Sequence, residues 1–246
     1  MSQIQKLQGI VIKKIDYKEN ANLITLLTPK GKLSLIVRGS KKINSVTRNY
    51  TNLFSQLDFN ATDNLKLNTL TEGYIVNAFV NINTDFNKMN VGLQILEKIN
   101  LLCDEIQNYE VFYTFVVKVF NLLENTSYPI SILNIFEIKL LYLLGVAPEL
   151  RECVICQNKD IEHGFFSVSS GGIICRKHQI NNYDLDSLST NALKLLYYIK
   201  IDKIDEDFLK LINDYSITIS NVIDKFYERH LDFHSKTKKI IKTIFK

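Results

Sequence analysis

Two pairs of potential metal ligands lie in the second half of the chain, separated by 18 residues. Cys153 and Cys156 stand two residues apart, and so do Cys175 and His178. Two short loops that each supply two donors at this spacing can hold one tetrahedral zinc ion. Because all four positions are filled by protein side chains, the pattern predicts a structural zinc site rather than a catalytic one, which would keep one position open.

Two alternatives to a zinc site remain open from these residues. The loops could fold without a metal ion, or Cys153 and Cys156 could form a redox-active Cys-x-x-Cys pair. The surrounding sequence lacks the βαβ pattern of a thioredoxin-like protein, which argues against redox chemistry. Gly171 and Gly172 stand just before the second pair of ligands, where a turn without Cβ strain would help.

A second group of residues that could do chemistry consists of cations in the first 50 residues. The segment 38–48 combines long cations with hydroxyl and amide donors beside a glycine, which suits a mobile loop that contacts phosphate groups. We predict that eight cations contact DNA: Lys13, Lys14, Lys30, Lys32, Arg38, Lys41, Lys42 and Arg48. The alternative is a solvated lysine-rich face, and only Tyr17 and Tyr50 could stack on bases in this part of the sequence.

The charge is distributed unevenly along the chain. Residues 1–82 carry 11 Lys/Arg and 5 Asp/Glu, whereas residues 83–150 carry 4 and 8. A basic first third beside an acidic middle predicts two surfaces with different partners. Lysines in the run 236–246 form a second basic patch, which indicates either a solvated helix end or a receptor for an acidic peptide.

The elements that must position these residues change near residue 80. Before it, short β-branched runs between turn residues predict five strands, at 9–12, 23–27, 33–37, 54–59 and 65–70. Five strands in so short a segment fit a closed barrel of the OB type, although a flat meander or an SH3-like barrel gives the same local signals. After it, apolar residues at helical spacing predict helices at 91–102, 111–123, 132–144 and 191–199, and from 207 onwards.

The sequence therefore predicts an α+β protein with an N-terminal OB-like β-barrel followed by an all-helical domain. We place the barrel at residues 1–80 and the helical domain at 81–246, with a zinc-knuckle insertion at about 150–180.

Phosphate-binding, nucleophile-elbow and metalloprotease motifs are absent from the sequence, so we expect no enzyme activity. Met1 to Gln8 is too polar for a secretory signal and no segment has the length to span a membrane, so we expect a cytoplasmic protein.

Several of these segments resemble the RecO family of DNA repair and recombination mediators. The stretches LLTPKGKL at 26–33 and VRGSKK at 37–42 are similar to the N-terminal barrel of that family. The stretch LLGVAPEL at 143–150, followed by the first cysteine pair and by GGIIC at 171–175, resembles its central signature closely. One position departs from the family pattern, because His178 stands where a fourth cysteine is usual.

The resemblance implies a function in recombinational repair. Members of the family bind and anneal single-stranded and double-stranded DNA, associate with RecR, and contact the acidic C-terminal tail of single-stranded DNA-binding protein. They thereby help to load RecA onto coated strands at the nucleoid. The residues alone also leave open a different function, that of a zinc-stabilised protein-interaction scaffold without direct DNA binding.

Overall fold

The N-terminal part of the protein is a closed barrel of five strands. The structure is a computed structural model that describes residues 4–62, 68–178 and 183–244. The strands are β1 (Ile4–Tyr17), β2 (Ala21–Thr28), β3 (Gly31–Arg38), β4 (Gln56–Thr62) and β5 (Asn68–Asn77). They pair in the order β1-β2-β3-β5-β4, with β4 closing on β1 and with β3 parallel to β5. The predicted OB-like barrel is confirmed.

The last two strands differ from the sequence prediction in their limits. Strand β4 begins at Gln56 rather than at Phe54, because Phe54 adopts a left-handed conformation with φ of 70°. Of the strand predicted at 65–70, residues 65–67 lie outside the described residues. Strand β5 continues to Asn77, where it still pairs with β4, so the sheet extends beyond the predicted run.

Alternating side chains fill the barrel. Leu26 of β2, Leu35 and Val37 of β3, and Leu57 and Phe59 of β4 belong to one buried cluster. Because successive residues of a strand point to opposite faces, the intervening residues form the outside of the barrel. The outside can therefore carry charge without disturbing the core.

Three α-helices of the described residues complete the N-terminal unit: α1 (Val80–Thr84), α2 (Phe86–Leu102) and α3 (Tyr109–Asn125). Helix α2 contacts β1 and α3 contacts β2, whereas α1 packs on α2 and α3. The rings of Phe54 and Phe79 both lie against Phe120 of α3, with centroids 5.7 and 5.8 Å apart. Gly92 allows α2 to approach this cluster, since a Cβ there would lie 2.8 Å from the Phe54 ring. Aromatic packing thus joins the helices to the barrel.

Within the described residues, the C-terminal unit contains four α-helices, one 3₁₀ turn (Ile201–Lys203) and a small hairpin. The helices are α4 (Pro129–Leu143), α5 (Ser187–Tyr198), α6 (Glu206–Leu231) and α7 (Lys236–Ile244), and the hairpin strands are β6 (Phe165–Ser167) and β7 (Gly172–Ile174). The buried Tyr227 hydroxyl on α6 donates to the carbonyl of Glu137 on α4 at 2.9 Å. The helical run predicted from residue 207 is interrupted after α6, because Asp232 is left-handed and Phe233 turns inward to pack against Tyr227.

The chain divides into two compact units, residues 1–125 and 126–246. The first unit includes α2 and α3 because they pack on the barrel, and α1 because it packs on α2 and α3. The limit predicted near residue 80 marks the change from strands to helices, and as a domain boundary it stays a prediction. None of the helices in the described ranges is both long enough and apolar enough to span a membrane.

Candidate metal centre and nucleic-acid interface

The four predicted metal ligands lie together, with all donor atoms within 4.8 Å of one another. The Sγ atoms of Cys156 and Cys175 are 3.8 Å apart, and Nδ1 of His178 lies 3.4 Å from Sγ of Cys175 and 3.9 Å from Sγ of Cys153. Tetrahedral zinc, with bonds of about 2.3 Å to sulfur and about 2.0 Å to nitrogen, places sulfur pairs about 3.8 Å and sulfur–nitrogen pairs about 3.5 Å apart. The cluster can hold a metal ion, and the separations of these three pairs lie close to those of zinc ligands.

Tight backbone turns present the two ligands of each pair on the same side. In the first turn the N–H of Gln157 donates to the carbonyl of Cys153 at 2.8 Å, and the N–H of Cys153 donates to the carbonyl of Asn158 at 2.9 Å. Gln157 completes this turn in the left-handed conformation, with φ of 57°. In the second turn the N–H of His178 donates to the carbonyl of Cys175 at 3.0 Å.

The small hairpin brings these two turns together. Strand β7 leads directly to Cys175, and on its other edge it pairs with the segment that leads to Cys153. The N–H of Ile173 donates to the carbonyl of Glu149 at 3.0 Å, and the N–H of Val154 donates to the carbonyl of Ile173 at 2.9 Å. Ligands that are distant in sequence therefore become neighbours through backbone pairing.

Gly172 is essential for this close approach. A Cβ at this position would lie 2.4 Å from the carbonyl oxygen of Glu149 and 2.8 Å from Cγ1 of Val154. We expect Gly172→Ala to lower the free energy of unfolding by about 3 kcal/mol or more, because the backbone must move to relieve the clash. Gly145→Ala is the control, since φ there is 74° but no atom lies within 4 Å of the added Cβ.

The control should lose about 1–2 kcal/mol, the usual cost of a left-handed non-glycine residue. Urea unfolding monitored by circular dichroism measures both changes. If both variants lost the same free energy of unfolding, the close contact between Gly172 and Glu149 would not be the cause of the loss in Gly172→Ala.

The backbone also favours negative charge on the cysteine cluster. Burial alone would raise the pKa of the Cys153 thiol, but backbone N–H donors, among them that of Cys175 at 3.3 Å, outweigh burial and lower the pKa to about 6. At the exposed Cys156 the N–H of Asn158 lowers the pKa, but desolvation and the sulfur atoms of Cys153 and Cys175 outweigh it, so the pKa is raised. Several sulfur atoms thus share one small region, as the thiolate ligands of a cation do.

The predicted DNA-contacting cations separate into two groups along the β2–β3 hairpin. Lys30 and Lys32 lie at its turn, where Gly31 takes a φ of 117°. The ammonium group of Lys32 forms an ion pair with Asp104 at 2.7 Å and donates to the carbonyl of Asn100 at 3.2 Å. Lys32 therefore already has protein partners from α2 and the residues that follow it, whereas Lys30 is exposed.

The other group surrounds a groove at the opposite end of the hairpin. The groove has a volume of about 620 Å³ and is lined by residues 17–21 of the β1–β2 turn and by Ile36, Arg38 and Gly39 at the end of β3. Sequence reasoning missed Lys18 in this turn, because its pattern marked the segment only as a connection. Its ammonium group lies 5.4 Å from the centroid of the Tyr17 ring.

Strand register places Lys13 on the same face as this groove. Lys13 pairs with Thr25, and four residues further along β1 Tyr17 pairs with Ala21, which pairs with Arg38. Residues directly opposite each other in antiparallel strands share a face, so Lys13 and Arg38 both lie on the outside of the barrel. Lys14 is exposed, but it pairs with Ile24 of the barrel core. Lys14 therefore lies on the face of β1 opposite to that of Lys13.

The loop after β3 is anchored at its base. Ser40 is buried, and its hydroxyl oxygen accepts hydrogen bonds at 2.9 Å from both the backbone N–H and the side-chain amide of Asn22. The ammonium group of Lys41 donates to the carbonyl of Lys18 at 3.0 Å and lies 3.4 Å from Asp16. Lys41 therefore holds the β1–β2 turn, and it is only partly available to a ligand.

The remaining two predicted contacts are more accessible. Lys42 is exposed in the loop, and Arg48 is exposed on the 3₁₀ turn Val46–Thr51 that follows. Together with Arg38 and Lys18, they give the groove end of the barrel four exposed cations. The structure thus brings part of the predicted set together and leaves Lys30 and Lys32 at the far end of the hairpin.

The C-terminal lysines lie on α7. Lys238 forms an ion pair with Asp224 of α6 and donates to the hydroxyl of Ser220 at 3.1 Å. This pairing fastens α7 to α6. Lys246, the last lysine of the predicted patch, lies outside the described residues.

Comparison with known protein families decides the family. A model described as Recombination protein O C terminal matches residues 83–239, which is more than half of the chain. The chain belongs to the RecO family. A second model, Recombination protein O N terminal, matches residues 1–79 of this RecO-family chain.

Curated relatives match the sequence of this chain over nearly their full lengths, and each is named DNA repair protein RecO. The protein of Halalkalibacterium halodurans is 25% identical over 240 residues, which cover 96% of this chain and 93% of that protein. The protein of Bacillus subtilis is 27% identical over 242 residues, covering 97% and 94%. A protein of Listeria monocytogenes is 27% identical over 249 residues, covering 99% and 96%. These relatives support a role of this RecO-family chain in DNA repair.

Proposed function

We propose that this RecO-family chain binds DNA on the groove end of its barrel and acts there as a recombination mediator without catalysing a reaction. The observation that carries the proposal is a groove on an OB-like barrel, lined by Tyr17, Lys18 and Arg38. OB barrels bind oligonucleotides on the face of their second and third strands, between the connecting loops. The groove of this chain lies at that face.

The cations contribute to this binding unequally. Arg38, Lys42 and Arg48 are exposed and would contact phosphate groups, which gives affinity without sequence specificity. Lys32 and Lys41 contribute less, because each is already in an ion pair with a carboxylate. Lys13, Lys14 and Lys30 are exposed along the hairpin and β1, and they would extend the contact to a longer strand.

We further propose that the metal ion is zinc and that it is structural. Cys153, Cys156, Cys175 and His178 would hold it, and a bound zinc ion would cross-link the two turns of the knuckle. Because protein donors fill all four positions, the site leaves no coordination position for a reacting water. This arrangement favours a non-catalytic protein.

The family resemblance supports the partners in the proposal. We propose that the chain anneals complementary strands, associates with RecR, and contacts the acidic C-terminal tail of single-stranded DNA-binding protein. Through these contacts it would help to load RecA onto coated strands. The basic surface described above supplies the DNA-binding part of this activity.

A titration of the full chain with a fluorescent oligonucleotide tests the proposal. We expect binding to single-stranded and duplex DNA that weakens steadily as salt is raised, because phosphate contacts release counterions. Mixing two complementary strands should produce faster annealing in the presence of the protein. No binding at low salt would reject the DNA-binding function.

A protein-interaction scaffold is the second candidate, and exposed aromatic residues favour it. In the C-terminal unit the rings of Tyr142 and Tyr197 lie 6.2 Å apart, and those of Tyr197 and Tyr198 lie 5.0 Å apart. Tyr142 and Tyr198 are more than half exposed, and tyrosines of this kind often anchor protein interfaces. Capture of RecR by a chain that does not bind DNA would favour this candidate.

A further inference from the structure

The loop between β3 and the 3₁₀ turn exposes two apolar side chains. Ile43 is 84% exposed and Val46 is 70% exposed, the two highest values among the large apolar residues of the described ranges. Single exposed apolar residues are common on protein surfaces. These two, however, stand within the eleven-residue basic segment from Arg38 to Arg48.

Hydrogen bonds hold the loop in a defined conformation. The N–H of Lys42 donates to the carbonyl of Gly39 at 3.1 Å, and the N–H of Ser45 donates to the carbonyl of Lys42 at 3.2 Å. The hydroxyls of Ser45 and Thr47 lie 2.7 Å apart, and that of Thr47 donates to the carbonyl of Arg38 at 3.1 Å. The hydroxyl groups of Ser45 and Thr47 therefore make hydrogen bonds within the loop and to the end of β3, while the apolar side chains remain in solvent.

The charge around these side chains identifies the occupant as a nucleic acid. Arg38, Lys42 and Arg48 are exposed beside them and are suited to phosphates. Between phosphates, a nucleic acid offers the apolar faces of its bases, and aliphatic side chains are known to insert between base steps. Tyr17 is the one aromatic residue that lines the groove, so stacking on rings is scarce here.

We infer that Ile43 and Val46 contact unpaired bases and give the chain a preference for single-stranded over duplex DNA. This inference rests on the proposed function, since it requires DNA on the groove end of the barrel. Inserting a side chain into a duplex requires bases to unstack, at a cost of a few kcal/mol per step. In a single strand the bases are already accessible, so the same contact adds affinity at little cost.

The variant that tests the inference is the full chain with Ile43→Ser and Val46→Ser. Its affinity is measured for a single strand, for the matching duplex, and for a strand of the same length that carries abasic sites. We expect about a tenfold loss on the single strand. The loss should be smaller on the duplex and absent on the abasic strand. The salt dependence should keep its slope, because no phosphate contact is removed.

Leu101→Ser with Val111→Ser is the matched control, because these side chains are 60% and 53% exposed on helices of the same unit. The control should bind all three DNAs like the parent. An equal loss of affinity for all three DNAs in the Ile43/Val46 variant, or no loss for any of them, would overturn the inference. Ile43 and Val46 would then be candidates for contact with a protein partner. Failure of the parent to bind any DNA would instead reject the proposed function itself.

Discussion

Replacing Cys175 with serine is expected to remove the metal ion and to unfold the segment that surrounds the knuckle, residues 149–178. Cys175 is 2% exposed, and its sulfur is the donor closest to His178. The supporting strands β6 and β7 have only three residues each, so little other structure holds this segment. The free energy of metal binding is then free energy of folding, which reaches about 10–16 kcal/mol in isolated zinc-finger peptides.

Elemental analysis, thermal unfolding and hydrogen exchange measure this outcome. The parent should contain about one zinc ion per chain. A chelator should lower the melting temperature of the parent and should change that of Cys175→Ser little further. Hydrogen exchange should become fast in the knuckle segment of the variant.

Cys103→Ser is the matched control, because Cys103 is equally buried but stands outside the ligand cluster. It should keep its metal ion and its response to the chelator. If Cys175→Ser lost the metal ion but kept the melting temperature of the parent, the knuckle would fold without metal, and the structural role of zinc would be rejected. If the variant kept the metal ion, Cys175 would not be a required ligand.

The second large effect is expected at the groove end of the barrel. Arg38→Gln together with Lys42→Gln removes two exposed cations and keeps polar side chains of similar length. Each phosphate contact on a single strand contributes about 0.7 to the slope of log affinity against log salt, so the slope should fall by about 1.4. At 0.1 M salt this corresponds to an affinity about 25-fold weaker than that of the parent.

Lys203→Gln with Lys210→Gln removes the same charge from exposed positions of the C-terminal unit. We expect this control to change the slope by much less than the barrel variant does. Equal slopes in the two double variants would indicate attraction by net charge alone, without contacts at the groove. Fluorescence polarisation over a series of salt concentrations gives both slopes.

Local patterns were sufficient for most of the fold and for the metal ligands. The turn at residues 29–31 and the β-branched runs on either side predicted the β2–β3 hairpin, because turn chemistry and strand alternation act over a few residues. The ligand pairs at Cys153 and Cys175 were predictable for the same reason, since each pair lies in one short turn. The positions of helices α2 to α5 followed from apolar periodicity.

Features that depend on distant residues were not predictable. The sequence predicted that Lys32 contacts DNA, but in the fold Lys32 pairs with Asp104, which is 72 residues away in sequence. Lys41 was predicted to contact phosphate, but it also binds the carbonyl of Lys18. The turn that contains Lys18 lies beside Lys41 only because β2 pairs with β3. The groove itself has no sequence signal, because two segments that are separate in sequence form its walls. The left-handed Phe54 was likewise missed, because its ring packing against Phe120 decides the conformation.

The arrangement of the knuckle also constrains when it can be completed during synthesis. When Cys153 and Cys156 have been synthesised, the nascent chain carries two of the four metal ligands. Strands β6 and β7 and the other two ligands are still to be synthesised. At 5–20 residues per second the interval between Cys156 and His178 is about 1–4 s. Until then the nascent chain can hold an ion by at most the first cysteine pair, so secure capture of the ion is a late event in the maturation of this half of the protein.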